Sequence, residues 1–288
     1  MNTLDLRALE IFRAVAIEGT VSQAAARLNR VQSNISTRIK QLEEQLGATL
    51  FQRHSRGLEL TTEGRRLLSY AERLLQLSTE AAEAMADGTP TGGFTIGTME
   101  STAATRLPAI LSDFHRHHPA VDVRLVTDTA GGVLKRLRDR EINVAFAAEP
   151  VVFDDLKTVP VFEESLVLVT PGSYPTSKEP AALNGRTVIA FDQGCAYRRY
   201  LEDWLLAADV VPGGVISVGS YVAILACVAA GTGFAVVPRA VLDTVNTLGD
   251  LQLHALPGPL ARVRTLLVWR DDYRSNKLDA LQALLPRL

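Results

Sequence analysis

The stretch AVAIEGTVSQAAARLNRVQSNISTRIKQLEEQLGATLFQRHSRGLELTTEG, Ala14 to Gly64, decides the reading of the chain. Just ahead of and into it, Leu6, Leu9, Phe12 and Val15, with Ala16, recur at helical spacing, and Gly19 stops that helix. Thr20 to Leu28 is short and carries Ala24, Ala25 and Ala26, strong helix formers. Asn29 and Arg30 make a tight connection. Gln32 to Leu46 then predicts a further helix with Ile35, Ile39, Leu42 and Leu46 on one face and Gly47 as its stop. Two short helices joined by a tight turn suggest a helix-turn-helix, whose second helix enters the major groove of DNA. Phe51 to Leu60 places Phe51, Leu58 and Leu60 around the polar tip Arg53-His54-Ser55-Arg56-Gly57, the pattern of a small β-wing.

The exposed face of the second helix carries Gln32, Ser33, Asn34, Ser36, Thr37, Arg38 and Lys40, and Gln23 precedes it on the shorter helix. Amides and hydroxyls suit base edges, and the cations suit phosphates or guanine. Between Ser22 and Arg56, Arg27, Arg30, Arg38, Lys40, Arg53 and Arg56 stand against Glu43 and Glu44, a local charge of +4. A solvated helix pair packed on another element would share the bare pattern.

Outward from this stretch the chain has 288 residues and a net charge of -2, with 47% hydrophobic and 22% charged residues. That length fits about two domains, and the composition excludes a disordered chain. No apolar run approaches the ~20 residues of a membrane helix, and MNTLDLRALE is not a secretory signal. Two cysteines, Cys195 and Cys227, cannot build a disulfide framework, and a reducing cytoplasm fits them.

From Thr62 to Met85 a long helix carries Leu67, Ala71, Leu74, Ser78, Ala81 and Met85 in steps of four and three, a heptad-like seam that calls for a dimer partner. The turn-rich run Gly88-Thr89-Pro90-Thr91-Gly92-Gly93 marks a change of composition. Beyond it, strands at Phe94–Ile96, Val121–Val126, Val144–Ala147, Leu166–Val169, Val188–Ala190, Ile216–Val218, Phe234–Val237 and Thr265–Trp269 are interleaved with helical patterns. Such interleaving indicates wound α/β units.

The landmarks Phe12, Gly19, Ala24-Ala25, Leu28, Gln32, Ser36, Ile39, Leu42-Glu43, Leu46-Gly47, Leu50-Phe51, Arg53, Leu60-Thr61 and Gly64 together resemble the N-terminal domain of LysR-type transcriptional regulators. The later run Ala229-Ala230-Gly231-Thr232-Gly233-Phe234-Ala235-Val236-Val237-Pro238 resembles a signature of that family's effector domain. The resemblance covers the whole chain. It implies an α + α/β fold: a winged helix-turn-helix at residues 1–61, a linker helix at 62–88, and a periplasmic-binding-protein-like effector domain at 89–288. Within the last, subdomain I spans about 89–161 and 267–288, and subdomain II about 162–266. The crossing strands fall near Val161-Phe162 and Leu266-Val268.

The family usually has an apolar residue and then Ser or Thr before the Gln; here Arg30 and Val31 stand there. The helix loses a favoured cap, and Arg30 becomes a candidate phosphate contact. The resemblance also implies that Arg53 and Arg56 of the wing approach the flanking minor groove or backbone.

Strand C-termini and helix N-termini point polar groups into a cleft between two such subdomains. The candidate effector residues are Met99, Glu100, Ser101 and Thr102; Asp128 and Thr129; Glu149; Gln193, Cys195 and Tyr197; and Tyr221 after Ser220. Glu100 at a helix start could be a plain cap. With Asp128, Glu149 and Asp192 converging, a carboxylate cluster would want a cation, so a cationic or amine metabolite is expected. The residues around Glu100, with RVQSNISTR, resemble the branch of the family linked to putrescine utilisation. Cys195, ahead of a helix and Arg198-Arg199, keeps open a thiol-redox response, whereas Cys227 among Ile224, Leu225 and Val228 reads as a buried thiol.

Other signals point nowhere specific. His115-Arg116-His117-His118 ends a helix and lacks a metal partner at ligand spacing. Gly231-Thr232-Gly233 precedes a strand instead of following one, unlike a dinucleotide loop.

The expectation is therefore a cytoplasmic regulator that binds promoter DNA, responds to a small-molecule effector, and needs no cofactor, metal or membrane. The family implies self-association, a homodimer through the linker helix and a homotetramer, with RNA polymerase as a further partner. A cytosolic solute-binding or enzymatic α/β protein, its N-terminal helices serving only assembly, is the rival from another class.

Overall fold

Asp5 starts the first helix, α1 (Leu6–Glu18): its carboxylate accepts from the Arg7 N–H at 3.1 Å. Gly19, in the left-handed region at φ 69°, ends it. Thr20 caps α2 (Val21–Arg27) by accepting from the Gln23 N–H at 3.2 Å. Asn29, also left-handed at φ 53°, turns the chain into α3 (Gln32–Leu46). The wing is the antiparallel pair β1 (Phe51–His54) and β2 (Gly57–Leu60), with Phe51 opposite Leu60. A long helix, α4 (Thr62–Ala84), follows. This computed structural model describes residues 4–54, 57–85, 88–174, 180–245 and 249–288. The chain divides into two compact units, Met1–Ala86 and Asp87–Leu288.

The first unit has its own core. Leu9, Phe12 and Val15 of α1 meet Ala24 and Ala25 of α2, Ile35, Ile39 and Leu42 of α3, Phe51 of the wing, and Ala71 and Leu75 of α4. Periodicity holds for α3 except at its end, where Leu46 runs past the core and is exposed. The heptad-like seam of α4 divides. Leu67 and Ala71 pack inward with this core, while Tyr70, Leu74, Leu77 and Met85 are exposed. The outward stripe is therefore rotated from the expected one, because α1 takes the first two positions.

In the second unit the first lobe starts with β3 (Gly92–Thr98), α5 (Glu100–Thr105), α6 (Leu107–His117), β4 (Val121–Thr127), α7 (Ala130–Arg138) and β5 (Val144–Ala148). Strands β4, β3 and β5 are parallel neighbours. The chain then enters β6 (Leu156–Pro171), one continuous strand of 16 residues that runs into the second lobe. There follow β7 (Thr187–Ala190), α8 (Ala196–Ala207), β8 (Gly214–Ser217), α9 (Tyr221–Ala229), β9 (Ala235–Pro238), α10 (Arg239–Thr244) and β10 (Leu251–Ala255). The return strand β11 (Arg262–Arg270) pairs antiparallel with both β5 and β6, and α11 (Asn276–Leu284) closes the first lobe.

The first half of β6 faces β11, and its second half lies between β9 and β10. The register along β6 and β11 shifts between Thr265 and Leu266, beside Phe162. That irregularity sits where the two strands pass between lobes, as a bulge bends a ladder. One face of the first lobe is filled by Phe94, Ile96, Phe114, Phe146, Leu267 and Leu281. The other shares a continuous core with the second lobe, from Val133 and Leu137 through Ala147 to Leu225 and Val237. No helix among the described residues is long and apolar enough to cross a membrane.

Candidate functional site

Two surfaces concentrate chemistry, one in each unit. In the first, Ile35, Ile39 and Leu42 anchor α3 in the core, so the opposite face must look outward. Gln32, Ser33, Asn34, Ser36, Thr37, Arg38 and Lys40 are all exposed there, and Gln23 and Arg30 are exposed beside them. The Gln32 amide nitrogen donates to the Ser22 hydroxyl at 3.1 Å, which ties the two helices together at this face. Arg27 is engaged by Glu18 at 2.9 Å, whereas Lys40 makes only a loose pair with Glu44 at 3.7 Å. Arg53 lies in β1; Arg56, also expected to touch DNA, lies outside the described residues. Ser22 is the polar residue here that the sequence reading passed over, and its spacing from Gln32 gave no hint of their bond.

The wing is set against the helices by polar bonds at the edge of the core. One Glu43 oxygen accepts from the Leu50 N–H at 2.7 Å and from the Phe51 N–H at 3.3 Å. Thr61 donates to the Thr49 carbonyl at 2.7 Å and accepts from the Gly64 N–H at 2.9 Å. A Cβ at Gly64 would lie 2.2 Å from the Leu50 carbonyl oxygen, so only glycine fits. The result fixes a two-stranded wing beside α3, and an α-helix is an element that the major groove admits.

In the second unit the lobes face each other across a cleft. Met99, Glu100, Asp128, Thr129, Ala130, Phe191, Cys195, Tyr197 and Tyr221 line a cavity of about 20 Å³, about the size that holds one water molecule. The lobes already touch: the Gly131 N–H donates to the Gly194 carbonyl at 3.1 Å. A Glu100 oxygen accepts from the Tyr221 N–H, at the start of α9, at 3.2 Å. Tyr200 donates to the Glu149 carbonyl at 2.6 Å. Near the crossing strands, Arg106 grips the buried Glu164 with two nitrogens, at 2.8 and 3.0 Å.

Glu100 is thus the first residue of α5, and its carboxylate reaches across to α9. Burial raises its pKa, against the lowering effect of the Tyr221 N–H. No cation pairs with it among the described residues. The hydroxyls of Ser101, Thr102, Tyr197 and Thr265 are buried, and among the described residues none has a hydrogen-bond partner of good geometry. Phe191 meets Tyr221 edge-on with ring centroids 4.8 Å apart; Phe191 is a lining residue that sequence reasoning missed, because a strand-end Phe reads as core.

The expected cluster of free carboxylates does not form. Asp128 lines the cavity but is held by Arg136 at 3.0 Å and by the Thr129 N–H at 2.8 Å. Glu149 lies outside the cavity and is clamped by the Arg264 guanidinium and N–H, each at 3.0 Å. Burial pushes the Glu149 pKa up, but Arg264 outweighs it and brings the group below its usual value. Asp192 is exposed. Neighbouring arginines therefore neutralise the charges that would have gathered round a cation, and among the described residues no His, Cys, Asp or Glu group is arranged to hold a metal.

Gln193 lines a separate, wider groove of about 710 Å³ instead, together with Arg138, Phe153, Arg198 and Arg199. Cys195 borders both spaces. Burial raises its thiol pKa, against the Arg198 and Tyr197 N–H groups and the Arg198 charge. The expected lowering by the helix start and the arginines is thus overridden by desolvation.

A winged helix-turn-helix joined to a domain of two lobes that face each other across a cleft is the build of a ligand-responsive DNA-binding regulator. Comparison with known proteins bears on the class directly. Residues 87–287 match the LysR substrate binding domain, and residues 6–65 match the bacterial regulatory helix-turn-helix protein, lysR family. The chain is 36% identical over 280 residues to the HTH-type transcriptional regulator YusT of Bacillus subtilis (strain 168), covering 96% of this chain and 93% of YusT. A full-length OxyR variant from Pseudomonas aeruginosa shares the fold, with a TM-score of 0.71, 22% identity, and 98% and 93% of the two chains covered. CbnR bound to its target DNA does so with a TM-score of 0.69, 23% identity, and 98% and 99% covered.

The chain belongs to the LysR family of transcriptional regulators. It is a DNA-binding regulator with an effector-binding domain.

Proposed function

We propose that this cytoplasmic regulator is controlled by a compact amine bound between the two lobes, with Glu100 as the counter-charge. One observation carries this: Glu100 is a half-buried carboxylate with no cationic partner among the described residues. Its surroundings suit an ammonium group. Phe191 and Tyr221 offer aromatic faces, and buried hydroxyls can bind the rest of a small polar molecule. Met99, Ser101, Thr102, Thr129, Cys195 and Tyr197 complete the proposed contacts, with Asp128 in the cavity wall beside them; Glu149 and Gln193 lie outside that cavity and are not assigned to the amine. The cavity is too small for a metabolite, so the lobes must open by breaking the Gly131–Gly194 and Glu100–Tyr221 bonds.

DNA is read by Gln23, Gln32, Ser33, Asn34, Ser36 and Thr37, with Arg30, Arg38, Lys40, Arg53 and Arg56 on phosphates or guanine. The protein works as a dimer through the exposed stripe of α4, and two dimers form a tetramer. Effector binding changes the placement of the paired DNA-binding units, and promoter output through RNA polymerase follows. This requires the amine to favour one quaternary state over the other.

A thermal-shift panel of putrescine, cadaverine, agmatine and amino acids, beside dicarboxylates, tests the amine reading. An amine that raises Tm in the wild type, with the rise abolished in Glu100→Gln, supports it. Shifts from anions alone overturn it. Putrescine is one member of the panel, and a response to it would place the protein near the putrescine-utilisation branch.

A further inference from the structure

Val31 stands just ahead of α3, and the residue is 69% exposed. No other large apolar side chain described in the winged helix-turn-helix is as open to solvent. It belongs neither to the buried core of that unit nor to the apolar residues packed on it. It holds the N-cap position at φ -80° and ψ 144° and makes no side-chain cap bond, where Ser, Thr, Asn or Asp would satisfy a helix N–H. Stability alone therefore gives no reason for valine there.

Its backbone is nonetheless fixed. The Arg30 N–H donates to the Ala25 carbonyl at 2.9 Å, and the Asn34 N–H donates to the Val31 carbonyl at 3.1 Å. A β-branched side chain is also stiff about its first torsion. Asn29, Arg30, Gln32, Ser33 and Asn34 around it are polar and exposed. Val31 is thus a rigid apolar knob at the leading end of the helix that reads DNA, and that end is the part of a recognition helix that meets base edges.

The apolar feature that base edges present in the major groove is the 5-methyl group of thymine. We propose that Val31 is a specificity-determining residue that packs on one thymine methyl in each half-site, with Arg30 holding the adjacent backbone. The proposal rests on the DNA-reading surface described above and is independent of the effector.

The test uses the full-length protein. Selection from a randomised duplex library yields its preferred site, and each thymine there is replaced singly by deoxyuridine, which removes only the methyl group. For the wild type, one position per half-site should weaken binding about four-fold, the equivalent of about 0.8 kcal/mol for one buried carbon. Val31→Ser should show no difference between thymine and deoxyuridine at that position. Serine restores a cap, so its melting temperature should not fall, and misfolding is separated from lost contact. A wild type indifferent at every thymine, a selected site without thymine, or Val31→Ser as sensitive as the wild type overturns the proposal. Enrichment of no sequence at all would instead bring down the DNA-reading surface itself, and this inference with it.

Discussion

Glu100 and Gly64 show how single residues carry the two halves of the account. Burial favours the protonated Glu100 side chain in the folded protein. Below the ordinary carboxylate range the group is neutral in both folded and unfolded chains, so burial costs little. As pH rises through the raised value, the folded state retains a desolvated charge and loses stability relative to the unfolded chain. Glu100→Gln should therefore melt at a higher temperature than the wild type near pH 8, and the gap should close near pH 4. Equal gaps at both pH values would contradict the burial argument. Amine affinity should rise over the same interval, since an ammonium pairs with the ionised group. At Gly64, alanine would drive a methyl into the Leu50 carbonyl, and a loss of about 3 kcal/mol, read by denaturant melting of the first unit, is expected. The sequence marked both residues as notable. It could not show that Arg136 and Arg264 neutralise Asp128 and Glu149, because partners eight or more residues apart meet only through the fold.

At the scale of elements, α4 carries two faces with different tasks. Ala71 and Leu75 belong to the core of the first unit, while Tyr70, Leu74, Leu77 and Met85 make an exposed stripe. An amphipathic helix with a second apolar stripe calls for a partner helix. Leu74→Glu with Leu77→Glu should convert the assembly to smaller species in light scattering and leave the fold of the monomer intact; an unchanged mass would remove the stripe from the interface. Heptad spacing alone placed Leu67 and Ala71 in that stripe, since periodicity gives faces without saying what covers each one. The short helices and the wing were legible from caps, glycines and apolar spacing. Strand β10 was not: Leu251–Ala255 is a half-exposed edge whose Gln252 and His254 break the apolar run. Likewise β6 was read only in part, because its first half mixes charged and apolar residues where it crosses between lobes.

For the whole molecule, a net charge of -2 coexists with the basic face on α3 and its approach. DNA affinity should accordingly be local in origin and steep in salt. With Arg30, Arg38 and Lys40 on phosphates in each half of a dimer, these three residues alone should contribute about -5 to the logarithmic salt slope, any wing contacts adding to it, and Arg30→Ala should make it shallower by about 2. An unchanged slope in that variant would take Arg30 off the backbone. The central claim is that the cleft and the DNA-reading surface are coupled through quaternary structure. Coupling between two binding sites is reciprocal. The most direct measurement is therefore calorimetric titration of the amine giving the largest thermal shift into the protein alone and into its complex with the selected operator duplex. The account predicts two different dissociation constants for the same amine; the same constant in both titrations, or no binding of any amine, would contradict it.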